Sequence, residues 1–301
     1  MSDWVLGVIG GSGLYAVEGL EDVARSRVHT PWGEPSGALV TARLNGVDLV
    51  FLPRHDEGHR LPPSAINYRA NIDALKRAGV TDVISLSACG SLQEAYAPGS
   101  FVLPDQFVDR TIAREKSFFG PGCVAHVALA DPVCRRLSGL LADAARAAGV
   151  EAVHEGGTYL AMEGPQFSTR AESRLYRQWG LDVIGMTNMP EAKLAREAEL
   201  PYATVAMVTD YDCWRDDTAD VDGTDILAVM RANVAHAHAL LDRLTRRLAE
   251  TPREPSPQGI EKALEFAVLT PPEHRDPELT AKLDAVAGRV LGSGAAAGQG
   301  G

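Results

Sequence analysis

Short β-rich runs, several of them nearly continuous in apolar residues, alternate along this chain with longer stretches of 3.6-residue periodicity, and that alternation restricts the fold more than any other feature. The runs cover residues 5–9, 47–52, 80–87, 101–104, 183–186 and 202–208. A strand apolar at nearly every position is buried on both faces. The stretches between them, 67–78, 131–148, 170–178 and 224–248, carry the helical repeat. Doubly buried strands separated by helices give an α/β fold, with a central mixed, mostly parallel sheet as the middle of three α/β/α layers.

The repeat ends near Glu250, so residues 1–250 are expected to form the main domain. Pro252, Pro255 and Pro257 follow within nine residues and mark 251–259 as a linker. Two short helical stretches, about 260–269 and 277–291, form a C-terminal extension, and the Gly- and Ala-rich stretch 292–301 is expected to be disordered. With 45% apolar and 23% charged residues the chain can build a large core. A net charge of −11 excludes a general nucleic-acid binder, which needs clustered cations for the phosphate backbone.

No apolar run reaches the roughly 18 to 20 residues that span a bilayer, so no membrane partner is expected. The opening MSDWVLGVIGG runs from an acidic start into a strand, so no signal peptide is expected and the location reads as cytoplasmic. The four cysteines, Cys89, Cys123, Cys134 and Cys213, have neither disulfide-framework nor metal-site spacing and read as reduced packing residues, with no metal site.

In open α/β sheets ligands sit at the carboxyl ends of strands. Three strand-following loops there suit an anion. Gly10-Gly11-Ser12-Gly13 lets backbone N–H groups converge and adds a hydroxyl. It also fits a relaxed dinucleotide fingerprint, but the following AVEGLEDVARSRV lacks the helix such a site needs. Pro53-Arg54-His55-Asp56-Glu57-Gly58-His59-Arg60 concentrates positive charge, and Arg54 offers a planar fork that matches phosphate. Ser87-Ala88-Cys89-Gly90-Ser91 brings small residues and hydroxyls. Each alone reads equally as a turn or a solvated loop. Together they favour inorganic phosphate.

Thr209-Asp210-Tyr211-Asp212-Cys213-Trp214 places two carboxylates at i and i+2, on one face of an extended chain. Such a pair resists double ionisation, so one member donates a hydrogen bond while the other accepts. That suits a 6-aminopurine, whose N7 takes a proton as the base departs and whose amine donates to the carboxylate. A 6-oxopurine would oppose its carbonyl to that carboxylate. Turn carboxylates or half of a metal site explain the same spacing. Phe167 could cover a purine face, Met186 could lie along a ribose and Thr187 could reach phosphate; packing explains each as well.

The ordered set IGGSGL, RHDEGH, NYRANI, SACGS, EGPQFSTRAES, GMTNMPEA and TDYDCW resembles the methylthioadenosine phosphorylase branch of the purine nucleoside phosphorylase family, across residues 7–248. The resemblance implies a phosphorylase/hydrolase-like fold in a homotrimer, with a hexamer as the alternative. It implies phosphorolysis of 5′-methylthioadenosine to adenine and 5-methylthioribose 1-phosphate, in purine and methionine salvage. Phosphate is then a co-substrate, and no organic cofactor or metal is implied. Ser12, Arg54, His55, Ser87, Ala88 and Thr187 would hold phosphate. Phe167 and Met186 would line the nucleoside site, Asp210 and Asp212 would bind adenine and act as the catalytic pair, and His126 would reach into a neighbouring subunit's site.

Two departures from that pattern are visible. Ser12 and Ser87 stand where relatives often have Thr, which keeps the hydroxyl. Gly223, in the Asp-rich stretch 215–224, stands where relatives place an aliphatic residue near the 5′ substituent, so the methylthio preference rests on the resemblance alone. The competing readings are a broader purine nucleoside or methylthioinosine phosphorylase, and a sensor that binds adenine nucleosides without turnover.

Overall fold

The computed structural model describes residues 3–11, 13, 16–215 and 223–292. Eleven strands and seven α-helices occur among the described residues. The strands are β1 (Val5–Gly10), β2 (Glu21–Ser26), β3 (Leu39–Leu44), β4 (Val47–Pro53), β5 (Asp82–Ser91), β6 (Phe101–Leu103), β7 (Gln106–Asp109), β8 (Val153–Glu155), β9 (Thr158–Ala161), β10 (Val183–Gly185) and β11 (Tyr202–Asp210). The helices are α1 (Tyr68–Arg77), α2 (Arg135–Ala147), α3 (Arg170–Gln178), α4 (Asn188–Glu197), α5 (Gly223–Ala249), α6 (Pro277–Lys282) and α7 (Asp284–Leu291). No described helix is long and apolar enough to cross a membrane.

All strands belong to one mixed sheet, ordered β2-β3-β4-β1-β5-β10-β9-β7, with β11, β6 and β8 branching from β5. The central ladders, β4 with β1, β1 with β5 and β5 with β11, are parallel. The β2-β3-β4 margin and the pairings of β5 with β10 and β6 with β11 are antiparallel. β5 is therefore the hub. It pairs with β11 from Val83 to Gly90, and its last residues, Gly90 and Ser91, also pair with β10, so the sheet forks at the carboxyl end of β5.

The doubly apolar strands feed two cores. One joins Ile9 and Val83 to Ile72 and Leu75 of α1, Leu194 of α4 and Val286 of α7. The other joins Leu6, Val8 and Ile84 to Leu137 and Leu141 of α2 and to Leu240 and Leu244 of α5. Each fully buried large aliphatic side chain contributes roughly 1.5–3 kcal/mol. The helices begin where polar residues satisfy their free N–H groups: Asn67 accepts from the Ala70 amide, and Thr169 with Glu172 forms a capping box on α3.

Besides the short marginal strands, helix α4 and the C-terminal region differ from the sequence expectation. Helix α4 was not expected, because nine of its ten residues are buried, charged ones included, so it shows no polar face. It also contains Pro190 and is kinked at Met189. The C-terminal region packs onto the main domain. Trp4 Nε1 donates to the Thr251 carbonyl at 2.8 Å, Arg253 pairs with buried Asp82 at 2.5 Å, and Leu264, Ala267, Leu283, Val286 and Ala287 complete the α1-side core. Of the stretch 260–269, expected as helix, only Ile260–Lys262 forms a 3-10 turn, while 277–291 forms α6 and α7. The tail 293–301 lies outside the described residues.

Candidate active site

Ala88 lies in the most heavily paired strand of the sheet and yet is exposed, while Ser87 and Cys89 beside it are buried. Exposure at the centre of a large sheet means that open space lies above it. The loops proposed from sequence after β1, β4, β5 and β11 lie, as far as they are described, at one edge of the sheet, because these four strands run parallel, and β10 ends alongside the last residues of β5.

On the anion side, β1 and β4 run parallel and end together, and the Arg54 amide donates to the Gly10 carbonyl at 2.9 Å. Ser12 lies outside the described residues. The Gly13 carbonyl accepts from Nε2 of His238 on α5 at 2.8 Å, which ties the glycine loop to the long helix.

Arg54 is buried, and its fork meets a carboxylate of its own chain. Nε and Nη2 donate to Glu191 at 3.0 and 3.2 Å, Nη2 also to Ser85 Oγ at 2.6 Å, and Nη1 to the Leu86 carbonyl at 3.2 Å. One N–H on Nη1 is left for a ligand. The fork expected for phosphate is thus a structural ion pair that leaves Arg54 a single N–H without an assigned acceptor. Glu191 holds the guanidinium firmly protonated against the opposing effect of burial.

His55 is half-buried, with Nδ1 2.8 Å from the Leu61 carbonyl. A carbonyl only accepts, so Nδ1 carries the hydrogen. Burial, helped by the Arg54 charge, pushes the imidazole down to about 4. The ring is therefore neutral at pH 7 and presents a lone pair at Nε2.

Ser87 Oγ lies 3.0 Å from Asn188 Oδ1, which brings the β5 loop against Thr187 and the start of α4. Thr187 itself is buried and its side chain does not cap α4.

On the base side, β11 slips register opposite β5: Val208 pairs with Cys89 and Asp210 with Gly90, leaving Thr209 as the extra residue. Such a bulge re-aims the side chains beyond it. Asp210 accepts from the Asp212 amide at 2.8 Å and from the Thr209 hydroxyl at 2.7 Å. Asp212 adopts the left-handed conformation with φ 53°. Its Oδ2 is buried with no hydrogen-bond partner. Burial pushes the Asp212 carboxyl above its ordinary range, and the Asp210 charge acts in the same direction. Gly90 admits the pair: a Cβ there would lie 3.0 Å from Asp210 Oδ1 and 3.4 Å from Asp212 Cβ.

The loop carrying Phe167 is tied to this region by one hydrogen bond. Cys213 Sγ donates to the Ser168 carbonyl at 3.2 Å, linking it to the carboxylate loop. Phe167 is 80% exposed, an apolar residue at the surface of the chain. Met186 packs under Gly164, whose missing Cβ would sit 2.5 Å from the Met186 sulfur. His126 is different. It is exposed, and its backbone amide donates to Ala267 on the C-terminal segment, so nothing joins it to the other candidates within one chain.

Sequence reasoning missed the residues beneath these. Arg114 is buried and donates to the Met186, Met189 and Glu163 carbonyls and to the Tyr68 hydroxyl, clamping the Met186 and Phe167 loops together. Glu191 and Asn188 fall inside the GMTNMPEA segment but carried no signal, since a lone polar residue in a short apolar stretch does not show its partner. His238 sits in a helical repeat and reads as a surface residue.

The phosphorylase superfamily model matches residues 5–246. An S-methyl-5′-thioadenosine phosphorylase of Cereibacter sphaeroides is 62% identical over 287 residues, covering 95% of this chain and 98% of that protein. One from Bradyrhizobium diazoefficiens is 61% identical over 293 residues, covering 97% and 99%. A solved methylthioadenosine phosphorylase from an antarctic soil metagenomic library superimposes with a TM-score of 0.89 at 45% identity, over 93% of this chain and 98% of that one. The methylthioadenosine phosphorylase of Schistosoma mansoni in complex with adenine gives 0.78 at 36% identity, over 91% and 99%. The chain belongs to the phosphorylase superfamily, in its methylthioadenosine phosphorylase branch.

Proposed function

We propose that the protein is a pentosyltransferase that cleaves 5′-methylthioadenosine with inorganic phosphate, releasing adenine and 5-methylthioribose 1-phosphate. The observation that best supports this reading is the parallel pairing of β5 with β11, in whose register Ser87 and Ala88 lie close to the strand end that carries Asp210 and Asp212. Phosphate bound beside Ser87, Thr187 and the remaining Arg54 donor attacks C1′ as the glycosidic bond breaks, and its charge stabilises the cationic sugar. The Asp pair shares one proton. Asp212, pushed up by burial, delivers it to N7, while Asp210 accepts from the 6-amino group. Phe167 and Met186 flank base and sugar. Phosphate is a co-substrate here, and the reaction calls for no organic cofactor or metal.

The reading extends to a cytoplasmic homotrimer acting in purine and methionine salvage. Supporting the assembly, the strip that carries His126 also exposes Val124, Phe266 and Leu269. Light scattering at micromolar concentration checks the subunit number.

A substrate panel tests the reaction. With phosphate, methylthioadenosine releases adenine; without phosphate it does not. Adenosine tests the 5′ substituent and inosine the 6-position. Faster turnover of inosine would replace the reading with a 6-oxopurine phosphorylase. Binding of adenine analogues with no adenine release in phosphate would replace it with a sensor.

A further inference from the structure

Behind the anion loops lies a buried polar chain that reaches from Arg54 to Ser87. Arg54 and Glu191 have side chains only 3% and 2% exposed. The Tyr202 hydroxyl donates to Glu191 Oε1 at 2.9 Å, and the Thr204 hydroxyl donates to the Ser85 carbonyl at 3.1 Å. Both hydroxyls have thereby committed their hydrogens. They can only accept from Asn188 Nδ2, at 2.8 and 2.6 Å. The Asn188 amide is therefore fixed with Oδ1 toward Ser87, and the Ser87 hydroxyl must donate to it at 3.0 Å. From Tyr202 through Asn188 to Ser87 each bond has one allowed direction, set by the Glu191 carboxylate and, through Thr204, by the Ser85 carbonyl.

We infer that Glu191 is the positioning residue of the anion side, acting through Tyr202 and Asn188 to hold the Arg54 guanidinium and the Ser87 hydroxyl in one fixed relation. This rests on the reading of these loops as a phosphate site. Glu191 neutralises a charge that could not otherwise remain buried, and by taking Nε and Nη2 it fixes Nη1 as the nitrogen with an N–H to spare. The relay fixes the other wall. The two sides belong to strands β4 and β5, which are separated by β1, so no backbone pairing joins them directly. The base side shares no member of this chain.

The test is calorimetric titration of the full-length protein with inorganic phosphate and, separately, with adenine, alongside melting temperatures. Tyr202→Phe removes one hydroxyl from a buried site with no change of ring volume. It is expected to weaken phosphate binding about fivefold, the equivalent of one net hydrogen bond, with adenine binding within about twofold of wild type. Glu191→Gln sets an amide against the Arg54 donors and is expected to weaken phosphate at least tenfold. Should Glu191→Gln fail to fold, Tyr202→Phe decides. An unchanged phosphate affinity in Tyr202→Phe, or equal loss for phosphate and adenine, overturns the inference. Failure of the phosphorolysis reading shows separately, as absence of adenine release from methylthioadenosine by the wild type while the binding split persists.

Discussion

Asp210 and Asp212 are two residues apart and differ in what surrounds them. Asp210 accepts from the Thr209 hydroxyl and the Asp212 amide, whereas Asp212 has a buried oxygen with no partner. Asp210→Asn should lower kcat/KM for methylthioadenosine by about 10²- to 10⁴-fold, the range of a lost acid–base partner, and raise the relative rate with methylthioinosine, whose 6-oxygen the new amide can meet. Steady-state kinetics with both nucleosides checks it. His55 gives a stability prediction. Its folded pKa is about 4 against an ordinary 6.5, so the unfolded chain takes up a proton that the folded protein refuses. That contribution is complete above pH 6.5 and is lost as pH falls toward 4. His55→Asn should therefore lose less stability than wild type between pH 7 and 4.5 in urea melts. At this scale the sequence disclosed the groups proposed as ligand contacts, because hydroxyls, a guanidinium fork and paired carboxylates are unusual at strand ends. It did not disclose that Glu191 occupies the Arg54 fork, since the two lie far apart along the chain.

Elements rather than residues decide where these groups point. The strand ends assemble because β1, β4, β5 and β11 run parallel, and their apolar runs made them legible. The marginal strands were not: β2 has all six residues exposed, and β8 and β9 are three and four residues long with no sustained alternation. Helix α4 was hidden for the opposite reason, having no solvent side. Helix α3 matters because it anchors the Phe167 loop at its N-terminus. Thr169→Ala removes the hydroxyl half of the capping box and should cost about 1 kcal/mol, read from denaturant midpoints. A larger proportional rise in KM for nucleoside than for phosphate is expected with it, as the loop tied to the base side loosens.

For the molecule as a whole, the residues after Glu250 are structural. Ile260, Leu264, Leu283 and Val286 are each at most 2% exposed, and at roughly 1.5–3 kcal/mol apiece their burial rivals the entire stability of an ordinary domain, about 5–15 kcal/mol. A chain ending at Glu250 should show no cooperative thermal transition by circular dichroism. The proline-rich composition of 251–259 concealed this, because prolines mark an irregular path and say nothing of what the path packs against. Ala88 has the converse relation to stability. Its side chain is exposed rather than packed in the core, so bulk added there would close the proposed anion site without disturbing the fold. Ala88→Leu would then supply a silent twin of the protein, equal in shape and melting behaviour, against which heats of ligand binding could be referenced.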